Sequence, residues 1–299
     1  MVTRLFLKIA NHTTIGALQM SAAMVMAGTI GFFVLKSKVS LVEVVFWRCL
    51  FGAFFLAVYC LFFSKFKAKY LTVSILLYIL VGAVALVANW FFLFKSYTYS
   101  SISVATTVYN TQPFILMFLG TFFYGIKNSC LQYFWLFLSF CGVTLLALGD
   151  GSVISSNGIS TDILLGVFFA FVAAFFYAVT TLLMRNVREV PSANIAFLQV
   201  FFGAAILLPF VEFSPDGERL SSLLILAVLG FFHTGLMYIL LYSAIKKLPI
   251  YLIASISFLY PLTAFFVDIF AFSLKLGVAQ YIGAVLVIFS SLMASIRKD

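Results

Sequence analysis

A chain of 299 residues that is 64% hydrophobic and 9% charged, with a mean hydropathy of +1.18, lacks the polar surface of a soluble globule, in which charged residues run at about 25%. The composition therefore excludes a water-soluble domain and points to an integral membrane protein. A net charge of +9 would suggest a nucleic-acid partner in a soluble protein, but here Lys and Arg fall mostly in the short breaks between apolar runs, where they set topology. No nucleic-acid partner is expected.

Apolar runs of about 20 residues, each long enough to cross about 30 Å of hydrocarbon, recur from one end to the other. Strict alternation, the mark of a transmembrane barrel, is absent. Ten spans are predicted, at 13–35, 41–63, 72–94, 101–123, 131–149, 161–183, 193–213, 221–245, 249–273 and 277–296. The first follows Arg4 and Lys8 like a signal peptide, yet it is too long for a typical h-region and many spans follow, so an uncleaved helix is expected. The breaks carry turn residues or charge, as in Lys36-Ser-Lys38, Ser214-Pro-Asp-Gly217 and Lys246 to Pro249, and none has room for a soluble domain. Cys49, Cys60, Cys130 and Cys141 show no CxxC spacing, which leaves neither a disulfide framework nor a zinc site. They read as buried small hydrophobes.

Counting Lys and Arg on alternate sides gives twelve on the side of the termini and five on the other, with Arg48 left out as lying inside the second span. Both termini are thus expected in the cytoplasm. The chain also repeats: at an offset of 148, Gly82 pairs with Gly230, Leu93 with Leu241, Ile102 with Ile250, Pro113 with Pro261 and Phe118 with Phe266, and at 150 Gly16 pairs with Gly166. These identities follow the span order, one to five against six to ten. Because five is odd, the second half enters the membrane with the opposite orientation. The predicted architecture is an all-α integral membrane protein of ten transmembrane helices in two inverted five-helix repeats, residues 1–150 and 151–299, an arrangement that surrounds a midplane site.

Candidate site residues are the polar groups at mid-depth. The stretch Thr106-Thr-Val-Tyr-Asn-Thr-Gln-Pro113 puts six polar side chains and a proline inside an apolar span, and a buried hydroxyl or amide without a partner costs roughly 1–3 kcal/mol. Such a stretch suits a binding-site wall, and Ser255-Ile-Ser-Phe-Leu-Tyr-Pro261 answers it in the other half. Tyr109, Asn110 and Gln112 with Ser257 and Tyr260 offer donors, acceptors and aromatic faces fit for a zwitterion or amphipathic metabolite, or they bridge packed helices. Pro113 and Pro261 are expected to bend their helices around the cavity. Asn89 and Trp90 on the third span pair by offset with Met237 and Tyr238 on the eighth. Trp90 serves either as a cavity wall or as an interfacial anchor. Tyr177 shares a face with Thr180 and Thr181 on the sixth span, beside small residues that favour packing; Gln19 is a further contact candidate. His233 either titrates or hydrogen-bonds a neighbour. Intramembrane charge is scarce. Arg48 binds an anionic substrate group or braces helices, with Glu43 near in sequence but poorly placed at i,i+5, and Asp268 carries a coupling proton or caps a network.

Three segments carry a family resemblance: Glu43-Val-Val-Phe-Trp-Arg48 opening the second span, Leu165-Gly-Val-Phe-Phe-Ala-Phe-Val-Ala-Ala-Phe-Phe-Tyr-Ala178 in the sixth, and Tyr242-Ser-Ala-Ile-Lys-Lys-Leu-Pro249 leading to Tyr260-Pro261. In order and spacing the chain resembles the drug/metabolite transporter superfamily, in its EamA-type ten-helix branch. The first half departs from the usual wording at Lys95-Ser-Tyr-Thr-Tyr-Ser100. The resemblance implies transport of small metabolites by alternating access, with a central cavity lined from both halves and helices five and ten packed to the side. No acid occurs in the first span, which disfavours cation and proton antiport of the kind the small multidrug relatives perform.

The expected activity is secondary transport of a small polar or zwitterionic metabolite, an amino acid or derivative, across the cytoplasmic (inner) membrane of a bacterium. A flippase for a lipid-linked intermediate is the alternative; a lateral opening and a basic headgroup pocket would favour it. An enzyme is not expected, since neither HExxH nor a Ser/His/Asp set at one depth occurs. No cofactor or metal is called for. The expected partners are the small-molecule substrate and membrane lipid.

Overall fold

A computed structural model describes residues 2–64, 70–100, 102–148, 161–212, 219–272 and 277–296. Among the described residues, ten membrane-crossing passes are built from fourteen α-helices, because several passes are broken. The first pass is α1 (Val2–Gly28) and α2 (Ile30–Ser37), the second α3 (Leu41–Phe63), the third α4 (Val73–Tyr99), the fourth α5 (Ile102–Tyr109) with α6 (Gln112–Tyr124), and the fifth α7 (Cys130–Leu148). The second half runs α8 (Thr161–Asn186), α9 (Ser192–Leu207) with a 3₁₀ turn Leu208–Phe210, then α10 (Arg219–Val228), a π-helical segment Leu229–Leu236 and α11 (Met237–Lys247) as one pass. It ends with α12 (Ile250–Ser257), α13 (Leu259–Phe272) and α14 (Val278–Ile296).

The helix ends follow from local chemistry. Ser40 caps α3 by accepting the Glu43 N–H at 3.3 Å, and Thr72 caps α4 by accepting the Ile75 N–H at 3.3 Å; each satisfies one orphan donor of a first turn. Gly125 closes α6 at φ +59°, a left-handed cap that glycine adopts without a Cβ penalty. The two mid-span breaks share one cause. A proline ring clashes with the carbonyl four residues back, and α5 ends at Tyr109, four before Pro113, just as α12 ends at Ser257, four before Pro261. The bends expected at the prolines thus fall one turn ahead of them, at equivalent positions in the two halves.

Packing repeats with the same symmetry. The third pass lies along the sixth (α4 on α8) as the first lies along the eighth (α1 on α11), while the second and seventh (α3, α9), fourth and ninth (α6, α12), and fifth and tenth (α7, α14) pair with each other. Gly16 and Gly166 make the relation concrete. A Cβ on Gly16 would stand 3.1 Å from the Leu248 side chain and one on Gly166 2.6 Å from the Ser100 Cβ, and Leu248 and Ser100 are themselves 148 residues apart. The α7–α14 pair stands to the side, joined by a 2.6 Å Ser139–Ser290 hydroxyl contact. Leu61, Phe62, Phe122, Phe210, Val278 and Val285 are exposed around the bundle, an apolar belt suited to lipid. The third span runs past its predicted end: α4 continues through Lys95 to Tyr99, so Lys95 is helical, its ammonium 5.0 Å from the Phe169 ring centroid.

Candidate functional site

Where the halves meet, a cavity is lined by residues from seven of the ten passes. Its deep end is built by Tyr109 at the end of α5, Gln112 at the start of α6, Tyr177 of α8, Tyr238 of α11 and Tyr260 of α13. From there it extends past Asn89, Trp90 and Arg48 to Gly31, Phe94 and Tyr97, toward the end of the bundle where α2 and α4 finish. Toward the opposite end, side chains of the two repeats bond to each other. Lys247 Nζ donates to Gln19 Oε1 at 2.6 Å, Asn186 donates to the Tyr124 hydroxyl at 2.6 Å, and Ser64 bonds Asn194. Deeper on that side Tyr242 donates to Gln199 Oε1, and Gly82 leaves room for the Gln199 amide.

Arg48 dominates the electrostatics. Its side chain is fully buried, and its Nη1 and Nη2 have no hydrogen-bond partner among the described residues. One edge is held by Nε donating to Thr234 Oγ1 at 3.4 Å, and the guanidinium carbon lies 4.2 Å from the Trp90 ring centroid. A desolvated cation–π contact contributes about 2 kcal/mol, whereas an uncompensated buried charge costs several. The arrangement therefore has capacity left for an anion. Thr234 belongs to the π-helical segment, and such segments recur at functional sites because they re-aim side chains.

The rest of the wall is neutral. Asn89 Nδ2 donates to the Tyr109 hydroxyl at 3.1 Å and to the Ala173 carbonyl at 2.7 Å, which fixes both side chains. Tyr109 meets Tyr177 and Tyr260 edge to face at 6.3 and 6.1 Å, and Trp90 meets Tyr238 likewise at 5.8 Å. Gln112 Oε1 is buried without a partner among the described residues. Together these groups offer one cation, neutral amides and several π faces to a bound molecule.

Of the residues singled out from the sequence, Tyr109, Gln112, Tyr260, Asn89, Trp90, Tyr177, Tyr238 and Arg48 meet around this cavity. Others lie elsewhere. Asn110 turns back to donate to the Thr106 carbonyl at 2.7 Å, Ser257 donates to the Ile253 carbonyl at 2.7 Å, and Gln19 accepts from Lys247 toward the opposite end. His233 Nε2 bonds Thr29 Oγ1 at 2.6 Å, and its ring packs 5.1 Å from Phe33. Glu43 accepts from Trp47 Nε1 at 3.4 Å and makes no ion pair with Arg48 among the described residues, so the Glu43–Arg48 network does not form. Asp268 falls on α13, and its side chain lies outside the described residues. Tyr97 and Thr234 were not anticipated. Tyr97 lay beyond the predicted end of the third span, and Thr234 carries no sequence signal apart from its neighbour His233.

No group of His, Cys, Asp and Glu suited to a metal ion occurs among the described residues. The model of the EamA-like transporter family matches the chain twice, over residues 14–148 and 164–296. The uncharacterized transporter YxxF of Bacillus subtilis (strain 168) is 30% identical over 291 residues, 97% of this chain and 92% of that protein. A protein of known crystal structure, 16% identical, superposes with a TM-score of 0.77 over 94% of this chain and 98% of its own, a likeness of fold. The chain belongs to the EamA-like transporter family, within the drug/metabolite transporter superfamily, and is a multi-pass membrane transporter.

Proposed function

We propose that this transporter carries a small polar or zwitterionic metabolite, an amino acid or a derivative, through the cavity between its two repeats by alternating access. The observation that carries the reading is a cavity between the halves, centred on Arg48, Asn89 and Tyr109, with the Lys247–Gln19 and Asn186–Tyr124 hydrogen bonds joining the two repeats toward its opposite end. Inverted repeats exchange open and sealed sides by rocking about a midplane site. In this reading both termini face the cytoplasm, the excess of Lys and Arg lies on that side, and the cavity opens outward. Residues 1–150 and 151–299 move as the two rocking units.

The flippase alternative needs a lateral opening with a basic headgroup site. A groove on the lipid side between α3, α4 and α9 is lined by Val42, Val84, Val87, Phe91, Leu207 and Phe210, and nothing basic lines it among the described residues. That favours the soluble metabolite. The test is uptake into proteoliposomes of radiolabelled amino acids, 2-oxo acids, nucleosides and amines. Saturable uptake of one class, weakened several-fold when the cavity residue Tyr109 is changed to Phe, supports the reading; movement of lipid-linked compounds alone replaces it with flipping.

A further inference from the structure

Building on that transport reading, we propose that Arg48 docks a carboxylate of the transported molecule, and that this carboxylate is the obligatory feature of the substrate while an amino group is accessory. The guanidinium is committed at one edge and on one face, through Thr234 at Nε and the Trp90 ring. Its two Nη atoms, buried and without a partner among the described residues, are the pair that a carboxylate engages in parallel.

Charge balance narrows the ligand class. Arg48 is the one charged side chain among the described residues that line the cavity. A monoanion neutralises it, a dianionic phosphate brings a second charge with nothing to meet it, and an organic cation meets like charge in a low-dielectric site. An ammonium group finds a different reception. No carboxylate lines the wall among the described residues, and an amine is left with the unpartnered Gln112 Oε1 and the rings of Tyr109 and Tyr260. These contacts tolerate an amine without requiring it. N-acylated amino acids and 2-oxo acids therefore belong to the same ligand class as amino acids, and carboxamides and simple amines do not.

Thr234 is the positioning residue. It sits on the π-helical segment with its methyl group against Gly52, where a Cβ would lie 2.7 Å away, so its hydroxyl is held on the Arg48 Nε. Loss of that hydroxyl frees the guanidinium edge to turn, which weakens carboxylates and leaves neutral ligands unaffected.

The experiment is thermal stabilisation of the full-length, detergent-purified protein by matched sets: amino acids, their 2-oxo and N-acetyl acids, their carboxamides and their decarboxylated amines, with nucleosides, sugars, inorganic phosphate and anionic lipid-linked compounds alongside. The expected result is a stabilising acid whose carboxamide binds at least tenfold more weakly. Arg48→Gln should abolish the difference, Arg48→Lys should keep part of it, and Thr234→Val should shrink it several-fold. Should Arg48→Gln fail to fold, the wild-type comparison of acid with carboxamide decides alone. Equal binding of the two, or stabilisation confined to nucleosides, sugars, phosphate or amines, overturns the carboxylate proposal and leaves metabolite transport standing. Stabilisation by lipid-linked compounds alone, or by nothing in the panel, overturns both.

Discussion

Arg48 and Gln199 hold the same register in the two inverted repeats: each lies eight residues beyond its helix N-cap, Ser40 for α3 and Pro191 for α9, and each is fully buried. Gly52 and Gly203 keep the same spacing. Arg48 lines the cavity, whereas Gln199 lies toward the opposite end, bonded to Tyr242. In the alternating-access reading proposed above, rocking of the repeats exchanges these environments and breaks the Gln199–Tyr242 pair when that side opens.

Tyr242→Phe should therefore favour opening of that end. It removes one buried hydrogen bond and leaves the Gln199 amide, whose Nε2 already lacks a partner, with no bond to any described residue, at a cost of about 1–3 kcal/mol to the closed form. A reporter cysteine at Met184, which like the Gln199 amide lies against Gly82, reads the effect once the four native cysteines are replaced. Maleimide labelling should speed up several-fold in Tyr242→Phe. An unchanged rate would show that the pair is not the seal.

Tyr109 and Asn110 should part company. Tyr109 lines the cavity and accepts from Asn89, whereas the Asn110 amide donates to its own helix at the Thr106 carbonyl. Tyr109→Phe is expected to weaken substrate binding about threefold to tenfold, equivalent to about 0.7–1.4 kcal/mol. Asn110→Ala should change thermal stability with little effect on affinity. Direct binding measurements on the two single variants make the comparison, and equal losses of affinity would put both side chains on the substrate.

The inverted repeat was legible because Pro113 and Pro261 fix the breaks at equivalent places, and the same offset pairs Trp90 with Tyr238, which touch in the fold. The offset is not constant along the chain. It is 151 for the second and seventh passes, so a search at 148 pairs Arg48 with Ala196 and misses Gln199. Asn110 was misplaced for a related reason. A stripe through Thr106, Tyr109, Asn110 and Pro113 assumes an unbroken helix, but the break after Tyr109 resets the helical phase, so Gln112 reaches the cavity and Asn110 does not. Tyr97 escaped notice because Lys95 reads as a span end, although it is helical and its ammonium lies over the Phe91 and Phe169 rings, 5.6 and 5.0 Å from their centroids.

Gly142 and Gly283 hold α7 against α14. A Cβ on Gly142 would stand 2.8 Å from the Gly283 carbonyl oxygen, and one on Gly283 2.6 Å from the Gly142 carbonyl oxygen. Backbone cannot yield as a side-chain tip can, and small residues are what allow helices in lipid this close. Gly283→Val should lower stability by about 1–3 kcal/mol, the usual cost of overpacking, and leave the substrate Kd unchanged because neither helix lines the cavity. Thermal unfolding beside a binding isotherm separates the two effects; a weakened Kd at full stability would tie this pair to the site.

His233 and Thr29 supply the last test, which concerns whether the membrane histidine moves protons or holds helices. Thr29 stands at the break between α1 and α2 and donates to the Met26 carbonyl at 2.8 Å, while His233 approaches it from the π-helical segment that also carries Thr234. The contact therefore ties the bend of the first pass to the turn that positions Arg48. If its work is mechanical, His233→Gln and Thr29→Val should each lower thermal stability, and the double variant should cost less than the sum of the two, with a coupling of about 0.5–3 kcal/mol. The pH profile of transport in His233→Gln should match that of the unaltered protein. A flattened profile with stability intact would instead assign proton movement to this ring.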